Sequence, residues 1–236
     1  MAGRPTLILL PAMPCGPEFY AAQVDALSDL ADCRVMVEDA PSLTESADRI
    51  LAAAPPRFLL AGTAYGSRLA LEVALAAPER VAGLWLMNCN PGAHGNPADA
   101  RRLTARVRTE GIEAMLEEWA PIIVAEGDDA ARKRFRAMAR ASGPDRFVRQ
   151  HEALVSRIDR WGNLERITAP TLRLWGEDDQ FVPIDIGRRM AALMPAARLV
   201  ALPGCRHFPP VERPRETIAQ ARRWISEVRG SGGTPD

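Results

Sequence analysis

Phe58-Leu59-Leu60-Ala61-Gly62-Thr63-Ala64-Tyr65-Gly66-Ser67 is the stretch on which the fold turns. Its first four residues form an unbroken apolar run, the pattern of a strand covered on both faces. The segment from Ser67 to Ala77 is apolar on almost every side, which predicts a helix buried in the middle of the molecule. Between them lies Gly-x-x-x-Gly. Glycine lets such a turn tighten and lets the helix approach the sheet closely. A strand that turns this sharply into a helix pushes the middle residue outward, at a helix N-terminus whose partial positive charge favours a developing anion. That middle residue is Ala64, which carries no nucleophilic atom.

Five further apolar runs lie outward from this stretch: Thr6–Leu10, Arg34–Val37, Leu84–Met87, Thr171–Trp175 and Arg198–Leu202. The segments between them show helical spacing, as with Phe19, Tyr20, Val24 and Leu27, or Ile186, Met190 and Leu193. A β-α-β-α series of this kind predicts an α/β fold with a mostly parallel, doubly wound sheet. The series breaks between Asn90 and Pro170. Ala131, Phe135, Met138 and Ala139 share one helical face there, and Phe147, His151, Leu154 and Ile158 share another. Residues 1–90 and 170–229 therefore read as the core, 91–169 as an inserted helical cap, and 230–236, rich in Gly, Ser and Pro, as a disordered tail.

Composition narrows the classes of function. The 236 residues balance 30 Lys+Arg against 30 Asp+Glu, which removes the electrostatic case for nonspecific nucleic-acid binding. Cys15, Cys33, Cys89 and Cys205 form no CxxC pair, so neither a zinc site nor a disulfide framework is expected. The run Leu7–Leu10 is shorter than a signal-peptide core, and no window approaches the roughly 20 apolar residues of a membrane span. These features predict a soluble cytoplasmic protein with a small-molecule partner, no nucleic acid and no membrane.

Two more segments lie at the C-terminal ends of apolar strands, where open α/β folds bind ligands. One is Gly176-Glu177-Asp178-Asp179-Gln180-Phe181-Val182-Pro183 and the other is Pro203-Gly204-Cys205-Arg206-His207. The chain order is a turn of nucleophile-elbow type, Gly-x-Ser-x-Gly, then an acid, then a histidine. In this order and spacing the chain resembles the α/β-hydrolase superfamily over about residues 6 to 228. The resemblance implies Asp179 as the acid, with Gly176 three residues before it and Pro183 four after it. It implies His207 as the base, Ala64 at the nucleophile position, and the backbone N–H groups of Met13 and Tyr65 as the oxyanion hole. It also implies that the block 91–169 covers the pocket. Candidate lining residues are Pro11, Ala12, His94, Trp119 and Trp161, while His151 reads as a satisfied core histidine.

The activity implied is cleavage of a small carboxylic ester or related acyl compound (thioester, lactone or amide), with no metal and no organic cofactor. Ala64 leaves three readings open. It stands for a serine deliberately replaced, which leaves a catalytically impaired hydrolase. Or the chain is a natural non-hydrolytic enzyme, of lyase or cofactor-free oxygenase type, using His207 and Asp179 for proton transfer. Or it is a ligand-binding pseudoenzyme. Thr63, Ser67, Cys15 and Cys205 are expected to be structural.

Overall fold

The computed structural model describes residues 3–231. Six parallel strands form one sheet in the order β2-β1-β3-β4-β5-β6: β1 Thr6–Leu10, β2 Asp32–Val35, β3 Phe58–Thr63, β4 Val81–Met87, β5 Thr171–Gly176 and β6 Ala197–Leu202. β3 and β5 are buried at every position, which is why their sequences show no alternation. β2 lies two residues earlier than its apolar run suggests. Its register is set by β1, whose first residue pairs with Asp32, and as an edge strand it alternates between half-buried and exposed positions.

Helices α1 (Ala21–Leu27), α2 (Leu43–Ala53), α3 (Tyr65–Ala76), α7 (Ile184–Leu193), α8 (Pro209–Glu212) and α9 (Pro214–Ser231) flank the sheet. α1 packs on α9 and α2 packs on α3. Ser42 caps α2 by accepting the Glu45 N–H. α3 buries eleven residues, from Tyr65 through Leu75, as its all-round apolarity predicts.

Between β4 and β5 run α4 (Pro97–Glu110), α5 (Glu113–Ile123) and α6 (Asp129–Val155), then a short 3₁₀ segment, Trp161–Arg166. α6 is two helices meeting at Gly143, whose φ of 78° breaks the helix just before Pro144. The expected tail begins at Gly230, but Gly230 and Ser231 close α9, and the rest of that segment lies outside the described residues. All four cysteines are free thiols. No helix among the described residues is long and apolar enough to cross a membrane.

Candidate functional site

β3 runs straight into α3 through Ala64, whose φ of 53° and ψ of −111° lie in a region that side-chain-bearing residues rarely adopt. The flanking glycines hold it there. A Cβ on Gly62 would collide with the Gly66 carbonyl, and one on Gly66 would collide with the Leu10 carbonyl. The backbone is thereby folded back on itself and pressed against the end of β1, and position 64 is thrust out. The neighbouring hydroxyls point elsewhere. Thr63 Oγ1 meets the Tyr20 hydroxyl at 2.7 Å, and Ser67 Oγ bonds the carbonyls of Gly62 (2.5 Å) and Met87 (2.8 Å). The Cys15 thiol is fully buried and pushed far above its usual range by that burial, so it is not a thiolate.

Past β5, Asp179 turns inward and Asp178 is left on the surface. Asp179 is buried, and its two oxygens accept from four donors. Oδ1 takes the N–H groups of Phe181 (2.8 Å) and Val182 (3.2 Å). Oδ2 takes Asn88 Nδ2 (2.6 Å) and faces His207 Nδ1 at 2.8 Å. These four contacts fix the orientation of the carboxyl group. With Nδ1 occupied by this contact, the imidazole presents Nε2 as its other nitrogen.

Asn88 escaped the sequence reading. It follows β4 at a φ of 51°, which asparagine tolerates better than most residues. Its amide joins Asp179 to the Arg206 carbonyl, while its oxygen accepts the Gly176 N–H (3.1 Å). It thus ties the acid loop to the histidine loop.

Glu212 was also missed. This buried carboxylate accepts the N–H groups of Arg206 (3.1 Å) and Phe208 (2.8 Å), on either side of His207, and that of Ala125 (2.8 Å) beyond α5. The His207 N–H donates to the Ile123 carbonyl (3.1 Å). The histidine loop is therefore clamped between α8 and the end of α5. Burial raises the Glu212 carboxyl above its ordinary range, and the three backbone donors offset only part of that rise.

Ala64, His207, Met13 and Tyr65 all border one cavity of about 440 Å³. Tyr65 opens α3, so its N–H is among those a helix leaves unpaired at its start. The insert supplies the opposite wall, with Leu103, Trp119, Ile123 and His151. Trp119 packs edge-on against Phe147, His151 and Phe181, with ring centroids 5.3 to 5.5 Å apart. His151 is both a core residue and a wall residue: its ring stacks on Phe147 and its Nδ1 meets Thr104 Oγ1 at 2.8 Å. Burial, helped by His94 and Arg157, lowers its pKa to about 4.

Of the expected lining residues, His94 and Trp119 border the cavity. Pro11 and Ala12 do not; they are buried in the loop behind Met13. Trp161 does not either. It lies in the segment leading back to β5, against Gly92, with the Arg189 guanidinium 3.9 Å over its ring. Among the described residues no cluster of three or more His, Cys, Asp or Glu is arranged to hold a metal ion.

The profile of one family, described as the alpha/beta hydrolase family, matches residues 7–221. The chain belongs to the alpha/beta hydrolase family. A 2-hydroxy-6-oxononadienedioate/2-hydroxy-6-oxononatrienedioate hydrolase of Cupriavidus pinatubonensis is 33% identical over 169 residues, which is 64% of this chain and 56% of that protein. The chain thus spans little more than half the length of several such relatives. A pimeloyl-[acyl-carrier protein] methyl ester esterase of Edwardsiella ictaluri is 27% identical, covering 92% of each chain. Among solved structures, a thermophilic esterase of Thermogutta terrifontis superposes with a TM-score of 0.86 at 24% identity, covering 96% of this chain and 90% of that one. At that identity the likeness speaks for the fold of this α/β-hydrolase.

Proposed function

We propose that this α/β-hydrolase scaffold cleaves a small carboxylic ester or related acyl compound through a Ser-His-Asp triad. Serine occupies position 64 in the active form, and Ala64 leaves the chain catalytically impaired but able to bind its ligand. The observation that carries the reading is that Ala64, Met13, Tyr65 and the Asp179-bound His207 all border one cavity. Relatives named as hydrolases, one of them a methyl ester esterase, support it.

In the serine form, Oγ attacks the acyl carbon while His207 Nε2 takes its proton. Asp179 holds the Nδ1 proton and stabilises the imidazolium. The N–H groups of Met13 and Tyr65 receive the negative oxygen of the tetrahedral intermediate. His207 then protonates the leaving group, and an acyl ester remains on the serine. Water, deprotonated by His207, attacks that ester, and the acid and the free serine are released. The helical insert 91–169 acts as the cap, excluding bulk water from these steps.

Without the hydroxyl, the first bond cannot form. Loss of the nucleophile in a triad costs about 10⁶ in kcat, or roughly 8 kcal/mol of barrier. Most ligand contacts lie elsewhere and survive.

The test is Ala64→Ser, assayed with short and medium p-nitrophenyl esters. A gain of several orders of magnitude in kcat is expected, and a gain below about tenfold overturns the reading. Turnover measured with Ala64 in place and abolished by His207→Ala would assign proton transfer instead. Ligand affinity indifferent to both His207 and Asp179, with no gain from serine, would assign a binding protein.

A further inference from the structure

The cavity contains more positive charge than triad chemistry uses. Arg68 lies one helical turn beyond Ala64, its N–H bonded to the Ala64 carbonyl (3.0 Å). Its side chain is 2% exposed, and the residue borders the cavity. Nη2 reaches the Ile158 carbonyl (2.7 Å) and Glu72 (2.7 Å), but Nε and Nη1 have no acceptor at all. Glu72 is shared, because Arg160 holds its other oxygen at 2.5 Å. Asp159 also acts on Arg68, but its Oδ1 is engaged by the Trp161 N–H.

Arg157 is the third guanidinium in this corner and also borders the cavity. Its donors reach only main-chain carbonyls: Gly92 (2.9 Å), Leu154 (3.0 Å) and Ala93 (3.4 Å). No carboxylate among the described residues pairs with it. Burial, and repulsion from Arg68, lower its pKa to about 10, which still leaves it charged at neutral pH.

The acids that border the cavity do not offset this. Asp99 and Glu118 have side chains 65% and 39% exposed, so they sit at the mouth, and each already faces an arginine, Arg102 and Arg106. The inner end is cationic, with two Arg68 donors unmet and Arg157 bonded only to carbonyls, and the rim is anionic and paired. A buried guanidinium with unmet N–H groups is costly, and its planar fork matches a carboxylate.

We propose that Arg68 and Arg157 form a carboxylate subsite at the inner end of the cavity, so that the acyl substrates of this scaffold carry a second, anionic group a few carbons from the reacting carbonyl. The inference rests on the hydrolase reading above. One helical turn is about 5.4 Å, which with the side-chain reach suits half-esters of four- to seven-carbon dicarboxylic acids. Hydrolysis of such a substrate releases a dicarboxylate and an alcohol.

The experiment uses the chain with Ala64 in place, where ligands bind without rapid turnover. Monomethyl esters of succinic, glutaric, adipic and pimelic acids are titrated calorimetrically beside the corresponding dimethyl esters, which have the same acyl length and no charge. For at least one length the half-ester binds ten or more times tighter than its diester. Arg157→Gln, chosen because it breaks no ion pair, reduces that ratio to below about threefold. Diesters that bind as well as half-esters at every length overturn the subsite and leave the hydrolase reading intact. If neither series binds, the acyl-pocket reading fails and the subsite falls with it. The half-ester preference is read on the unaltered chain, so an Arg157→Gln protein that failed to fold would not remove the test.

Discussion

On the floor of the cavity, geometry is fixed by hydrogen bonds made at the ends of strands; on the roof, it is fixed by rings packing between helices. Asp179 commits both oxygens to four donors, two of them within three residues along its own loop. Trp119, Phe147 and His151 hold each other across two different helices, and the one polar link among them is His151 to Thr104. The floor tolerates little displacement, because a moved donor leaves a buried charge unmet. The roof can adjust by sliding apolar surface. The two parts of the chain thus differ in what holds them in place.

The largest effect that tests this division is on the floor. In the Ala64→Ser background, Asp179→Asn keeps the shape of the loop but cannot hold the Nδ1 proton of His207 in the same way. A loss of about 10⁴ in kcat is expected, with KM nearly unchanged. A loss below about tenfold would mean that the carboxylate only braces the loop, a duty that Asn88 and Glu212 share.

The roof answers to pH. His151 is 3% exposed and is kept neutral by burial, with a pKa of about 4, against roughly 6.5 in the unfolded chain. Between those values the unfolded state binds the extra proton, so its contribution is complete above pH 6.5 and is lost as the pH falls toward 4. The loss amounts to about 3 kcal/mol, taking 1.36 kcal/mol per pKa unit. Glu212 has its carboxyl raised by burial and works in the opposite sense, favouring the fold as the pH falls. Urea midpoints of the parent chain and of His151→Gln, measured from pH 7 to 4, check this. The parent should lose stability faster, and parallel curves would remove His151 as the sensor.

The same division explains what the sequence shows and what it hides. The elbow, the choice of Asp179 over Asp178, and His207 depend on residues within a few positions of one another, and all are visible in one chain. The four inner strands, β1, β3, β4 and β5, are visible for a similar reason, since covered parallel strands must be apolar throughout; β2 slips by two residues because its partner, not its own composition, sets its register. Asn88 and Glu212 act across separations of 91 and 87 residues, and nothing local marks them except a polar residue at a strand end and an acid among prolines. Arg68 and Arg157 lie 89 residues apart, and nothing local in the sequence shows that both border one cavity. Trp161 fails in the other direction: an aromatic in the insert suggests a wall residue, but the segment that returns the chain to β5 turns it toward Arg189.

The smallest effect probes the elbow itself, where shape and chemistry have come apart. Ala64 holds a φ of 53° although it has no hydroxyl to gain from doing so. The collisions that a Cβ at Gly62 or Gly66 would suffer show that the neighbours enforce the turn, whatever the side chain at 64. A residue with a Cβ in such a region carries about 1–3 kcal/mol of strain. Glycine would release it, and would give back about 0.5–1 kcal/mol through the greater freedom of the unfolded chain. Ala64→Gly should therefore stabilise the protein by roughly 1 kcal/mol, the difference between these terms, whereas Ala64→Ser keeps the Cβ and the strain and should leave the denaturation midpoint nearly where it is. If glycine destabilised the chain while serine stabilised it, the turn would owe its shape to the side chain at 64, and the serine would be part of the architecture as well as of the chemistry.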